Sequence, residues 1–141
     1  MNDISTLVDL RKKQLIDEGY SLTSDVDKQF RDYFIAAIIE GSFVSWVMEV
    51  DGDIVATSGV CFYSLPPTFS NPTGRIAYIT NMYTKDEYRR KGIATELLNM
   101  VLDEARMRGY KSVRLHTSEQ GKSIYQRTGF VDMDGNMALR L

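Results

Sequence analysis

The segment from Arg75 to Ala105 constrains the fold more than any other part of the chain. Arg75–Tyr83 is rich in Ile and Tyr and predicts a β-strand. Thr84–Gly92 is a charged turn, and a helical stripe of apolar residues follows it: Ile93, Leu97, Leu98, Val101, Leu102 and Ala105. A strand that turns directly into an amphipathic helix requires that helix to pack back on a sheet.

Two helices and a β-hairpin are predicted before this segment. The apolar faces of the helices begin at Ile4 and at Val26 and repeat with helical spacing. Phe43–Val50 and Asp53–Phe62 indicate antiparallel strands. Asp51-Gly52 between them suits the two-residue turn that needs positive φ values.

A short strand, a short helix and a final strand are predicted after it, at Ser112–Thr117, at Glu119–Thr128, and at Val131 with Met137–Leu141. The whole pattern predicts an α/β (α+β) fold with a mixed, mostly antiparallel sheet flanked by helices. The 141 residues fit a single domain over 1–141.

Charge and composition exclude several classes of protein. Seventeen basic against nineteen acidic residues give a net charge of −2, which argues against a nucleic-acid-binding protein. The longest apolar run, Phe34–Ile39, is far too short for a membrane span. Cys61 is the single cysteine, so no internal disulfide forms, and we expect it to be a core residue of a cytoplasmic protein.

The charged turn has the chemistry of a phosphate site. The first N–H groups of a helix have no internal partner and carry partial positive charge, so an anion binds there readily. Gly92 and the small Ala94 allow close approach, and Arg90 and Lys91 add cationic donors. The chain contains neither G-x-x-x-x-G-K-[ST] nor G-x-G-x-x-G, so it is neither a P-loop nor a dinucleotide-binding protein.

Two motifs resemble the GNAT superfamily of acetyl-CoA-dependent N-acetyltransferases. Arg89-x-x-Gly92-x-Ala94 after a strand is similar to that family's [Q/R]-x-x-G-x-[G/A] motif, within a Tyr88–Leu98 run that resembles its signature throughout. Ile124–Phe130 resembles its L-Y-x-x-x-G-F segment. The likeness implies a GNAT-like sheet whose first strand is missing here. An uncovered sheet edge invites association, and a homodimer would cover it.

The resemblance implies a coenzyme A site without a metal. The pantetheine arm would pair with the backbone of Met82, Tyr83 and Thr84, and Ser118 would donate a bond to it. The diphosphate would lie at the turn and the helix start that follows the third strand, formed by Arg89, Arg90, Lys91, Gly92, Ile93, Ala94 and Thr95.

The resemblance also implies direct attack by an amine on the acetyl thioester. The N–H of Met82 or Tyr83 would stabilise the oxyanion, and Tyr125 would protonate the leaving thiolate. Several groups compete for the role of base: His116, Glu49, Glu119, Tyr83 or a bound water. The predicted function is acetyl transfer to a primary amine of a small molecule or peptide. The alternative is a non-catalytic acyl-CoA-binding sensor or assembly module.

Overall fold

A computed structural model describes residues 3–22, 25–133 and 135–141. The helices are α1 (Ile4–Asp17), α2 (Asp27–Glu40), α3 (Ile93–Met107) and α4 (Lys122–Thr128), and the strands are β1 (Phe43–Val50), β2 (Asp53–Ser64), β3 (Arg75–Thr84) and β4 (Val113–Leu115). A short 3₁₀ turn, Asp86–Tyr88, lies between β3 and α3.

The four strands form one mixed sheet in the order β1-β2-β3-β4. β1 and β3 both pair antiparallel with β2, whereas β4 is parallel to β3. Asp51 and Gly52 have φ values of 51° and 85°, as the predicted hairpin requires. Helix α3 makes the crossover that a parallel β3–β4 pair needs. The predicted mixed, mostly antiparallel sheet with flanking helices is confirmed.

Helices cover both faces of the sheet, and each face has its own apolar core. On one face α1 and α2 bury Ile4, Leu7, Val8, Phe34, Ala37 and Phe43. On the other face α3 packs on the sheet and buries Val60, Ala77, Ile79, Leu98, Val101, Leu102 and Ala105. No helix within the described residues combines the length and the apolar character that crossing a membrane requires.

The two edges of the sheet are formed by β1 and β4, and the final strand expected beyond β4 is not formed by the residues that the structure describes. At one end β1 is the edge strand, and α1 is the first element among the described residues. At the other end β4 is only three residues long, and residues 131–133 and 135–141 form no strand. Val131, Met137 and Leu139 are exposed there, because the tail does not pair with β4 and buries none of its apolar side chains.

The packing of β2 against Phe43 yields a stability prediction. An added Cβ at Gly59 would lie 2.7 Å from Cζ of the Phe43 ring, inside van der Waals contact. Gly59→Ala should therefore lower the free energy of unfolding by about 1–3 kcal/mol in a urea titration. Adding Phe43→Leu should relieve part of that loss. A Gly59→Ala variant as stable as the wild type would contradict this packing.

Candidate functional site

β3 and β4 separate halfway along β3. The parallel pairing joins residues 77–79 of β3 to Val113–Leu115 of β4. β3 then continues to Thr84. Over its last five residues β3 has no strand beside it on this side, within the part of the chain that the structure describes. This half of β3, which includes Met82, Tyr83 and Thr84, leaves backbone groups available to an extended ligand.

A β-bulge lies at the start of this free half. Asn81 is buried and has a φ of 56°, and the register with β2 shifts at this point. The Thr57 hydroxyl donates to the Asn81 carbonyl oxygen at 2.8 Å, in place of a regular ladder bond. Bulges re-aim neighbouring groups and often lie beside active sites. The sequence analysis missed it, and the one signal for it was an Asn within a strand pattern.

The turn after β3 opens α3 with free N–H groups. Gly92 is the N-cap residue of α3, with φ 79°, and no side chain caps the helix start. Arg90 also has a positive φ of 61°, and left-handed residues in such turns form anion-binding concavities. A Cβ at Gly92 would meet no atom within 4 Å, so the space above the turn is open. The turn therefore presents N–H donors to an open surface.

The three basic residues of the turn have different surroundings. Arg89 donates through Nε to the Thr84 carbonyl at 2.8 Å and pairs with Asp86 at 2.7 Å and Asp17 at 3.3 Å. Arg90 and Lys91 are exposed and form no ion pair among the described residues. Arg89 thus braces the turn from within, whereas Arg90 and Lys91 offer their charge to the solvent side.

The side chain of Tyr125 lies over the loop that leads into α4. A Cβ at Gly121 would lie 3.0 Å from the Tyr125 ring and 3.5 Å from the Ser118 hydroxyl oxygen. The Ser118 hydroxyl accepts the Gly121 N–H at 3.3 Å, which still leaves its own proton to donate. The structure therefore brings Ser118 and Tyr125 together.

Burial, together with the nearby Glu18 carboxylate, raises the pKa of Tyr125 to about 12. Its ring packs edge-on against Phe130 with centroids 5.7 Å apart. Tyr125 therefore remains a neutral phenol throughout the neutral pH range.

The end of α1 also reaches the site, which the sequence analysis did not anticipate. Asp17 pairs with Arg89, and burial together with the Asp17 carboxylate raises the pKa of Tyr83. The Arg89 guanidinium carbon lies 5.7 Å from the centroid of the Tyr83 ring. No local sequence signal reports such a contact, because 72 residues separate Asp17 from Arg89.

The remaining candidate bases are dispersed. His116 and Glu119 are exposed on the loop after β4, and Glu49 lines a separate cleft of about 200 Å³ near the hairpin. Cys61 lies 3.3 Å from the Tyr33 hydroxyl and is half-buried, without a histidine partner among the described residues. A second cleft, of about 330 Å³, lies along β1. Neither cleft is lined by the predicted cofactor residues.

Residues 7–130 match the model of the Acetyltransferase (GNAT) family. The uncharacterized N-acetyltransferase YjgM of Escherichia coli K12 is 27% identical over 122 residues, which span 84% of this chain and 66% of that protein. The probable N-acetyltransferase camello of Xenopus tropicalis is 33% identical over 88 residues, 60% of this chain and 37% of that protein. The chain thus spans about two thirds or less of the length of these curated relatives.

Two solved structures extend the comparison. The acetyl-CoA complex of a predicted acetyltransferase from Clostridium acetobutylicum is 41% identical, with a TM-score of 0.95 over 99% of this chain and 90% of that one. A GCN5-related N-acetyltransferase from Ralstonia eutropha is 27% identical, with a TM-score of 0.91 over 99% and 93%.

The contrast between Arg89 and Arg90 predicts different effects on stability. Arg89→Ala removes a charged hydrogen bond to the Thr84 carbonyl and should lower the free energy of unfolding by about 1–2 kcal/mol, less than a buried pair would cost. Arg90→Ala, the matched control, should change it by less than about 0.5 kcal/mol. Urea titrations of both variants measure this. Equal losses would show that Arg89 does not brace the turn.

Proposed function

Because the chain belongs to the acetyltransferase (GNAT) family, we propose that it transfers an acetyl group from acetyl-CoA to a primary amine of a small molecule or peptide. One observation carries the proposal. The uncapped start of α3 and the free half of β3 are adjacent, joined only by the turn at residues 85–92. A ligand with an anionic end and an extended amide-containing arm fits both surfaces at once. The likeness to an acetyl-CoA complex supports the same ligand.

Backbone groups would make most of the contacts to the cofactor. The N–H groups of residues 90–95 would hold the diphosphate, with Arg90 and Lys91 as additional cationic donors. Met82, Tyr83 and Thr84 would pair with the pantetheine amides as an added strand does, and the Ser118 hydroxyl would donate to the arm from the side of α4. Arg89 contributes indirectly, because its guanidinium is occupied within the protein.

Attack on the thioester requires a neutral amine and a hydrogen-bond donor that stabilises the developing oxyanion. A lysine-like ammonium has a reference pKa of about 10.4, so a base or a water relay must remove its proton before attack. The bulge at Asn81 turns the next peptide out of the regular ladder. The Met82 or Tyr83 N–H beside it would stabilise the developing oxyanion.

Tyr125 would act as the donor to the leaving sulfur. A phenol with a pKa of about 12 stays protonated throughout the neutral range. Full transfer of its proton to a thiolate with a reference pKa near 8.5 costs roughly 5 kcal/mol, so we expect a hydrogen bond that strengthens as the C–S bond breaks. The supporting observation is a phenol that stays neutral and whose ring lies beside the Ser118 hydroxyl, above Gly121.

Replacing the Tyr125 hydroxyl should separate catalysis from binding. Tyr125→Phe should lower kcat at least about tenfold, while the Kd for acetyl-CoA stays nearly unchanged. Because the raised pKa keeps the phenol neutral, the ratio of wild-type to variant rates should be flat from about pH 6 to pH 9. Tyr110→Phe, on a ring that packs on Phe62, is the control. Wild-type turnover in Tyr125→Phe would remove Tyr125 from the mechanism.

A charge at the turn should disrupt cofactor binding. Gly92→Glu places a carboxylate where the diphosphate would lie, and should weaken acetyl-CoA binding at least about tenfold in a calorimetric titration. Gly92→Ala shares the backbone strain of a positive φ and is the matched control. Equal affinities for the two variants would exclude a diphosphate at this turn.

A further inference from the structure

A buried threonine on β2 holds the carbonyl group of the bulge in β3. Thr57 is only 3% exposed and Asn81 only 4%. The Thr57 hydroxyl donates to the Asn81 carbonyl oxygen at 2.8 Å. A buried hydroxyl and a buried carbonyl are each costly without a partner, and this one bond satisfies both. The proposed reaction has so far given Thr57 no role.

The geometry of the bulge explains why a side chain makes this bond. Residues 57 and 59 of β2 pair with residues 83 and 80 of β3, so Ser58 lies opposite two residues, Asn81 and Met82. Asn81 takes the first position with a φ of 56°, in the left-handed region that glycine usually occupies in such a bulge and that asparagine tolerates better than most residues. The regular ladder is interrupted here, and the Thr57 hydroxyl fixes the orientation of the peptide group instead.

The Asn81 carbonyl and the Met82 N–H belong to the same peptide group. No peptide bond among the described residues is cis. In a planar trans peptide the C=O and the N–H point in opposite directions. Thr57 holds the carbonyl on the side of β2, so the Met82 N–H points to the opposite side. On that side the described part of the chain places no strand beside this half of β3.

The hydrogen bonds at the end of β3 lead to the same assignment. The Lys85 N–H donates to the Val55 carbonyl oxygen at 2.9 Å, and thus points to β2. Backbone groups alternate between the two sides of a strand, so the Tyr83 N–H also points to β2, whereas those of Met82 and Thr84 point to the free side. Of the two N–H groups considered for the oxyanion, that of Met82 is therefore the one that faces the opening.

We propose that Thr57 is a positioning residue for acetyl transfer, because its hydroxyl holds the Asn81–Met82 peptide with the Met82 N–H directed at the thioester carbonyl. The inference rests on the proposed function and adds a residue that acts through this peptide alone. Negative charge develops on the carbonyl oxygen as the amine nitrogen bonds to the carbon. A donor that is already aimed there stabilises this charge without reorganisation. The bond from Thr57 also polarises the peptide, which makes its N–H a stronger donor.

The test removes the hydroxyl and keeps the shape of the side chain. Thr57→Val should lower the rate of a single acetyl transfer to an amine that the wild type uses by about tenfold, less than the factor of about 10²–10³ that loss of an oxyanion donor costs. The Kd for coenzyme A should stay unchanged, because coenzyme A has no acetyl carbonyl. Thr57→Ser keeps the hydroxyl and should retain most of the wild-type rate.

A spectroscopic measurement reports on the carbonyl itself. Acetyl-CoA labelled with ¹³C at the carbonyl and bound to the wild type without an amine should show a lower C=O stretching frequency than in solution. In Thr57→Val the frequency should return toward the solution value. Thr57→Cys, whose thiol is a weak donor, should change in the same direction by less, and carries the comparison if Thr57→Val does not fold.

Ser45→Ala is the matched control. It removes a hydroxyl that donates to the Ser58 carbonyl oxygen at 2.7 Å, on the side of β2 away from β3, and should change neither the rate nor the frequency. A rate and a frequency in Thr57→Val equal to those of Ser45→Ala would overturn the inference while acetyl transfer stands, as would a Thr57→Ser variant as slow as Thr57→Val. A wild type that acetylates no amine would overturn the proposed function and this inference with it.

Discussion

The separation of β3 from β4 after Ile79 is the constraint on which the rest of the site depends. A regular ladder would have filled the side of β3 with another strand, and its backbone groups would then be unavailable. Instead, β4 ends after three residues and the bulge at Asn81 reshapes β3 where it becomes free. The turn then places the start of α3 directly after this free half. The sheet thus creates an opening with peptide donors and a helix N-terminus at one end.

The charged residues around the opening differ in their partners and therefore in their roles. Arg89 is satisfied by a carbonyl and two carboxylates, so it stabilises the turn and links it to α1. Arg90 and Lys91 are on the solvent side, where an anion approaches. Asp17, at the end of α1, pairs with Arg89, whose guanidinium carbon lies 5.7 Å from the centroid of the Tyr83 ring. Under the proposed function, Arg90 and Lys91 would meet the anionic cofactor, while Arg89 keeps the turn in place.

Local patterns predicted most of the fold, and long-range contacts account for what they missed. Asp51-Gly52 determines its hairpin through its own backbone preferences, and the apolar stripe of α3 identifies its buried face. The bulge at Asn81 depends on how β2 and β3 pair, and the contact of Asp17 with Arg89 depends on how α1 packs. The final strand was expected from composition alone, but a strand also needs a neighbour to pair with. The roles of the cofactor residues and of Tyr125 stay predictions, since they depend on ligands.

The most direct measurement is release of free thiol from acetyl-CoA in the presence of amino acids, polyamines, aminoglycosides or peptides, with the products weighed by mass spectrometry. The account predicts amine-dependent thiol release that matches, mole for mole, the formation of one acetylated amine. Tight binding of acetyl-CoA with no amine-dependent release across the panel would contradict it, and would indicate a binding module instead.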